Sequence, residues 1–318
     1  MVEDYIAPTL IRSTDAVADV IYGLAASPEF LSDGICFAAR QTGLYRSIDG
    51  GKSWHSSYVN SPSPITTVAA SPGFDQDRTV FAGLPGAIVR SIDAGEHWSL
   101  IELPTPPSSI SSIVISPQFV SDGIVCAGTM EDGVLRSTDR GLSWAAWNFG
   151  LIDFSVLCLA ISPSFARDQT LLAGTESGVF TSKNGGRSWH ELNFPPHFAP
   201  ILSLALSPSF ESDGIIFVGT ESYGLFRSED RGKSWQSLGA ESIAGPINQI
   251  VLSPIGPHIL VATSSTVCIS RDDGKSWSEW REHLGDDSSI TALFVPETLS
   301  PDAHMLLGFA DGRIRRIN

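Results

Sequence analysis

An eight-residue pattern, Ser-x-Asp-x-Gly-x-x-Trp, occurs six times in this chain of 318 residues. The copies begin at Ser47, Ser91, Ser137, Ser182, Ser228 and Ser270 and end on Trp54, Trp98, Trp144, Trp189, Trp235 and Trp277. Only the fourth departs at the acidic position, with Asn184. Successive starts lie 44, 46, 45, 46 and 42 residues apart. A fixed period in this range means a repeat architecture, because one such unit cannot bury its apolar surface alone and must stack on its neighbours.

A second phrase precedes each copy: Ser27-Pro28-Glu29-Phe30, Ser71-Pro72-Gly73-Phe74, Ser116-Pro117-Gln118-Phe119, Ser162-Pro163-Ser164-Phe165 and Ser207-Pro208-Ser209-Phe210. Ser253-Pro254 is a shortened sixth, and Val295-Pro296 a degenerate seventh. The chain therefore holds seven units. Unit five reads strand by strand. Ile201–Leu206 alternates, as a half-buried strand does; Ile215–Gly219 is a short apolar run; Gly224–Ser228 follows, then the box turn, then Ser234–Leu238. No segment keeps a helical period for three turns. Four short strands in a unit of about 45 residues match one blade of a propeller.

Unit seven supplies three strands, at 290–295, 304–310 and 312–317, before the chain ends. The expected fourth is Ile6–Ser13 from the start, so that residues 5–14 complete the last blade with 286–318 and leave no open sheet edge. The expectation is an all-β, seven-bladed propeller of four-stranded antiparallel blades, one domain over residues 1–318.

The box has a structural reading. Its Asp carboxylate accepts backbone N–H groups of a tight turn, its Gly takes a positive φ, and its Trp covers the turn. Asp49, Asp93, Asp139, Asn184, Asp230 and Asp272 are thus expected to be structural. The boxes resemble the Asp-box, or bacterial neuraminidase repeat. The longer phrase, running from Ser-Pro-x-Phe through Ala-Gly-Thr to Gly-Val/Leu-Phe-Arg-Ser-x-Asp-x-Gly-x-Ser-Trp, resembles propellers of the sortilin, xyloglucanase and photosystem II assembly-factor type. The resemblance implies boxes at the outer rim, away from the ligand face. It implies little about activity, because function resides in loops grafted on the scaffold. Sialidases of this superfamily have six blades, an arginine triad and an Arg-Ile-Pro phrase; this chain has seven units and lacks that phrase. Arg46, Arg90, Arg136 and Arg227 recur at one blade position, which marks them as structural, while Arg12, Arg40, Arg281 and Arg313 remain as face candidates. Xyloglucanases pair two propellers with a carboxylate from each, whereas one is present here.

Acidic residues number 35 against 20 basic ones, a formal charge of −15. That balance disfavours nucleic acid and anionic membranes as partners. The four cysteines, Cys36, Cys126, Cys158 and Cys268, lie in apolar runs of different units without CxxC spacing, so buried free thiols are expected rather than disulfides or a metal site. No signal peptide or transmembrane run is visible at the start, so a cytoplasmic monomer is expected. No cofactor is required. A divalent cation on the central axis is the one compatible with clustered carboxylates.

Ligands are expected on the face opposite the boxes, built from turns joining strands two and three and from loops linking blades. Glu131, Glu176 and Glu221 recur at one position of such turns in three consecutive units. Clustered carboxylates bind a cation or a polyhydroxyl ligand, and a pair of them can act as acid and base on a glycosidic bond. Solvated turn residues are the plainer alternative. Tyr223, Trp147, Phe154 and His197 lie in flanking loops, where aromatics suit a peptide side chain or a sugar ring as well as packing. HExxH, Walker, GxSxG and GxGxxG motifs are absent from the sequence. The leading functional expectation is a non-enzymatic binding or assembly module for a protein, carbohydrate or small molecule. The alternative is a carbohydrate-active hydrolase or lyase, or a small-molecule biosynthetic enzyme, using the three glutamates.

Overall fold

In the first six units a strand of alternating apolar residues ends at a Ser-Pro phrase, and a short apolar run returns beside it. In the computed structural model, which describes residues 19–59, 63–103, 109–243, 245–280, 288–295, 299 and 304–317, these segments form a seven-bladed β-propeller. Blade one comprises Ile21–Ala26, Cys36–Arg40, Gly43–Ser47 and His55–Tyr58, paired antiparallel in chain order. The inner strands of the following blades are Thr67–Ala70, Ile110–Ile115, Val156–Ile161, Ile201–Leu206, Gln249–Leu252 and Ile290–Phe294. Blade seven shows three strands among the described residues, with Met305–Phe309 and Ile314–Ile317 outside Ile290–Phe294. The expected fourth strand, Ile6–Ser13, lies outside the described residues.

The glycine of strand two has a steric cause. A Cβ on Gly83, Gly128, Gly174 or Gly219 would meet a side chain in or just before the next inner strand, Ile110, Val156, Ile201 or Ile247, within 2.5–2.8 Å. Glycine there lets neighbouring sheets approach more closely than any side chain permits. Polar atoms tie the same seams. Thr66 Oγ1 donates to the Ile110 carbonyl at 2.6 Å, Ser111 Oγ to Val156 at 2.5 Å and Ser203 Oγ to Ile247 at 2.7 Å. Blade seven continues the pattern onto blade one: a Cβ on Gly308 would meet Ile21, and the Phe30 and Phe294 rings lie 5.7 Å apart.

The core consists of apolar layers between adjacent blades rather than one central mass. All four cysteines are free. Burial pushes the Cys36, Cys126 and Cys158 thiols up to about 12.

Each complete Ser-Pro-x-Phe phrase opens one helical turn, such as Phe30–Asp33 or Phe210–Asp213. The turn ends in an aspartate held twice. In unit five Ser207 Oγ donates to Asp213 Oδ2 at 2.6 Å, and the Ile215 N–H donates to Oδ1 at 2.9 Å. Asp77, Asp122 and Asp168 repeat both bonds.

Candidate functional site on the loop face

The box turns and the helical turns share one face, joined by hydrogen bonds such as Arg140 N–H to the Gly123 carbonyl at 3.0 Å. Within a box, the Ser137 hydroxyl donates to Asp139 Oδ1 at 2.7 Å and accepts the Gly141 N–H at 2.8 Å. Asp139 also accepts the Leu142 and Ser143 amides at 3.1 and 2.9 Å and the Ser143 hydroxyl at 2.5 Å. Burial pulls the Asp139 carboxyl upward, but these donors outweigh it and hold it at about 2. Asn184 keeps the geometry. Its Oδ1 accepts the Ser188 amide at 2.9 Å, and its Nδ2 donates to the Ser188 hydroxyl at 2.8 Å. Not only the box glycine but the residue before it adopts a positive φ, including Ala94, Arg140, Arg231 and Asp273.

The recurring arginines cross to the next box. Arg227 bonds the Asp273 carbonyl and carboxylate at 3.0 and 2.9 Å, and Arg46 pairs with Glu96.

The opposite face carries the turns between strands two and three. In blades three to five, buried Thr129, Thr175 and Thr220 close these turns through their hydroxyls onto Gly133, Gly178 and Gly224. Each turn is pinned to the chain segment leading into its blade. Met130, Glu176 and Glu221 donate backbone N–H groups to Ser109, Ser155 and Pro200 at 3.1, 3.3 and 3.2 Å. Those bonds correct the expected register. Met130, not Glu131, occupies the position of Glu176 and Glu221, and Glu131 stands one residue further along a turn as long as that of blade five. All three glutamates are exposed.

The aromatic candidates divide. Trp147 is not brought to the glutamates: its ring lies over the Arg136 guanidinium at 4.1 Å, and its carbonyl accepts the Trp189 indole N–H at 2.7 Å. It serves the seam between blades three and four. Phe154 is 45% exposed, and its carbonyl accepts the Gly133 N–H beside the blade-three turn. Phe149 and Ile152 in the same loop are exposed at 80% and 75%, and sequence reasoning passed over Ile152.

His197 and Tyr223 do come together, with ring centroids 6.5 Å apart. Phe198 lies between, 4.1 Å from His197 and 5.1 Å from Tyr223, and rests on Phe226 at 4.7 Å. Beneath it, buried Phe194 packs edge-on against Phe226 and Trp235 at 5.3 and 5.2 Å. An aromatic stack thus runs from the blade-five core to the exposed Tyr223 ring, and Glu221 sits on the same turn.

Asp153 was not foreseen. It accepts the Ser155 and Ser177 amides at 3.0 and 2.8 Å, which outweigh its burial and lower its carboxyl below the usual range. Asp19 caps the blade-one turn at Thr42 in the same way and pairs with Arg40 at 2.8 Å. Arg40 and Arg313 are thus committed to local partners, Arg313 to Asp311 at 2.7 Å. Arg12 and Arg281 lie outside the described residues. Among the described residues no group of three or more His, Cys, Asp or Glu side chains is arranged to hold a metal ion, and no helix is long and apolar enough to cross a membrane.

No protein-family model matches the chain, and no curated protein matches its sequence. Solved structures match its fold. The GH74 xyloglucanase of Xanthomonas campestris superposes with a TM-score of 0.71 at 16% identity, over 94% of this chain and 52% of that one. The GH74 enzyme of Niastella koreensis gives 0.75 at 15% identity, over 95% and 53%. YCF48 with a bound D1 peptide gives 0.69 at 17% identity, over 94% and 93%. The chain spans about half the length of the two GH74 proteins and nearly all of YCF48. Enzymes and a peptide-bound protein therefore share this architecture, and at such identities the likeness concerns fold alone.

Proposed function

We propose that this propeller is a binding or assembly module whose loop face captures a peptide segment of a partner protein in the sector of blades four and five. The observation that carries the reading is the exposed Tyr223–His197 pair resting through Phe198 on buried Phe194 and Phe226 and half-buried Trp235, beside Glu221. Rigid aromatic rings supported from below lose little entropy on binding, and they anchor interfaces. A nearby carboxylate on a chain of net charge −15 favours a segment with basic residues. YCF48 binding a D1 peptide on a similar scaffold supports the class of ligand. We read the repeated turns as Asp boxes that stiffen the opposite face, and the module as a monomer. Four free cysteines suit a reducing compartment such as the cytoplasm.

A carbohydrate is the second reading, favoured by the 50% exposed Tyr223 ring, whose flat face suits a sugar. Parallel peptide and glycan arrays, probed with the parent protein and Tyr223→Ala, test both. Peptides pairing aromatic and basic residues are expected as hits, weakened at least tenfold by the substitution. Glycan hits alone, or peptide hits indifferent to Tyr223, would overturn the first reading.

A further inference from the structure

The seams between blades share one construction on the box-bearing face. At five seams the second residue of strand two receives a phenylalanine from the helical turn of the next blade. Phe37 receives Phe74 at 6.4 Å, and Phe81 receives Phe119 at 5.9 Å. Cys126 shares a core with Phe165, Leu172 with Phe210 and Leu306 with Phe30. Leu260 shares one with the fully buried Leu299. Phe217 of blade five alone lacks this neighbour.

The cause is a deletion. The Ser207 N–H donates to the Ile215 carbonyl eight residues on, but the equivalent bond from Ser253 reaches only His258, five residues on. The three lost residues remove the helical turn with its phenylalanine. Ile255 does not replace it, being 74% exposed. A cleft of about 380 Å³ stands at the seam, lined by Ile215, Phe217, Leu252, Pro254, Pro257 and His258. Ser207, Ser209 and Ser253 line it too, and small-molecule sites start at about 300 Å³.

The margin of the cleft is acidic. Asp213 and Asp273 line it, and Arg227, which stacks over Phe217 at 5.7 Å, is shared between Asp273 and Glu229 at 2.9 and 3.0 Å. The two lining carboxylates against one guanidinium leave a net negative rim.

We propose that the cleft between blades five and six is a second ligand site, which takes an aromatic ring carrying a cationic amine, the ring occupying the place that phenylalanine fills at other seams. A free arylalkylamine and the N-terminal phenylalanine of a peptide present the same chemistry. The site lies on the face opposite Tyr223 and does not depend on the peptide-binding reading.

Phenethylamine is the probe, titrated into deuterated, ¹⁵N-labelled protein and followed by amide chemical shifts. Saturable shifts confined to residues 207–217 and 252–259 are expected, with phenylacetate and propylamine each at least tenfold weaker. A Phe-Ala-Ala amide peptide is expected to produce the same shifts if peptides are the source, and to lose at least tenfold on N-acetylation. Two variants localise the site. Replacing Pro254–His258 with the unit-five sequence Pro-Ser-Phe-Glu-Ser-Asp-Gly-Ile should restore the missing ring and abolish the response. Phe217→Leu, which installs the residue that blades four, six and seven already carry, should weaken it severalfold while leaving the fold intact. Absence of saturable shifts, shifts centred elsewhere, equal binding of phenylacetate, or an unaltered response in Phe217→Leu would each overturn the proposal.

Discussion

A methyl group on Gly308 would lie 2.4 Å from Cγ2 of Ile21, so blades seven and one approach as tightly as any neighbouring pair in the ring. No L-residue fits there without displacing a strand. Gly308→Ala is expected to lower stability by about 1–3 kcal/mol through overpacking, more than the few tenths to 1 kcal/mol gained from a stiffer unfolded chain. Ile21→Ala in the same chain removes the clashing Cγ2 and should cost less there than in the parent protein, a non-additivity that urea unfolding of both single variants and the double variant measures. Additive effects would mean that the two residues do not share the seam.

Closure by the chain's start makes a separate prediction. We propose that residues 6–13 add the fourth strand to blade seven, whose third strand, Ile314–Ile317, is the outermost described there. Deleting residues 1–14 would then expose that edge and remove an apolar strand, at a cost of several kcal/mol on the scale of about 25 cal/mol per Å² of apolar surface. A truncated protein that melts within a degree or two of the full chain would refute this closure.

The extent to which sequence anticipates this molecule follows from how local each signal is. Strand positions and unit count were legible because alternation, Ser-Pro stops and the box are contiguous in the chain; Ile201–Leu206 matches to the residue. The single helical turns were not, since four residues such as Phe30–Asp33 cannot display a period. Their aspartates had a readable signal, six residues beyond each phrase serine, but its meaning lies in the bond between them. The positive φ of Ala94 or Arg140 leaves no trace in residue type, because the turn's hydrogen bonds impose it. Site residues fared worst where neighbouring blades decide the outcome. Trp147 is claimed by Arg136 of its own blade and by the Trp189 indole across the seam, and Glu131 stands off the shared position because Met130 occupies it. His197 and Tyr223 meet because their loop and turn belong to the same blade entrance.

The box carboxylates predict acid sensitivity with a definite sign. Asp93, Asp139, Asp230 and Asp272 are held at about 2, and Asp49 lower still, against about 3.9 in an unfolded chain. For Asp230 and Asp272 the leading cause is the serine hydroxyl four residues on; burial pulls Asp93 and Asp139 upward, but hydrogen bonds outweigh it, from the His97 amide and ring to Asp93 and from the Ser143 hydroxyl and amide to Asp139. A depressed folded value means that the unfolded state binds more protons, so the contribution is complete above about pH 5 and declines as pH falls from 4 through 2. Asn184 takes no part. Asn184→Asp should therefore steepen the loss of stability below pH 4, and Asp139→Ala should make it shallower while costing about 1–3 kcal/mol at pH 7 from turn amides left unpaired. Urea midpoints at pH 7, 4 and 2.5 provide the measurement. Identical slopes in all three proteins would show that other groups govern acid unfolding.

The loop-face glutamates can be separated from the scaffold by charge alone. Glu131, Glu176 and Glu221 are exposed, and the hydrogen bonds that fix their turns come from backbone groups and buried threonines. Changing all three to glutamine keeps size and removes three negative charges, so the urea midpoint should hold or rise slightly as repulsion on a chain of charge −15 falls. Affinity for a basic peptide found on the array should drop at least tenfold, about 1.4 kcal/mol. The loss should shrink as salt is raised, because these charges are solvated and screened over roughly 10 Å at 0.1 M. The register on the loop face sharpens the expectation further. Glu221 shares its turn with Tyr223, whereas Glu131 stands one position off in blade three, so Glu221→Gln alone should account for more of the loss than Glu131→Gln alone. Equal contributions would indicate a diffuse attraction of the whole face rather than a site centred on blade five.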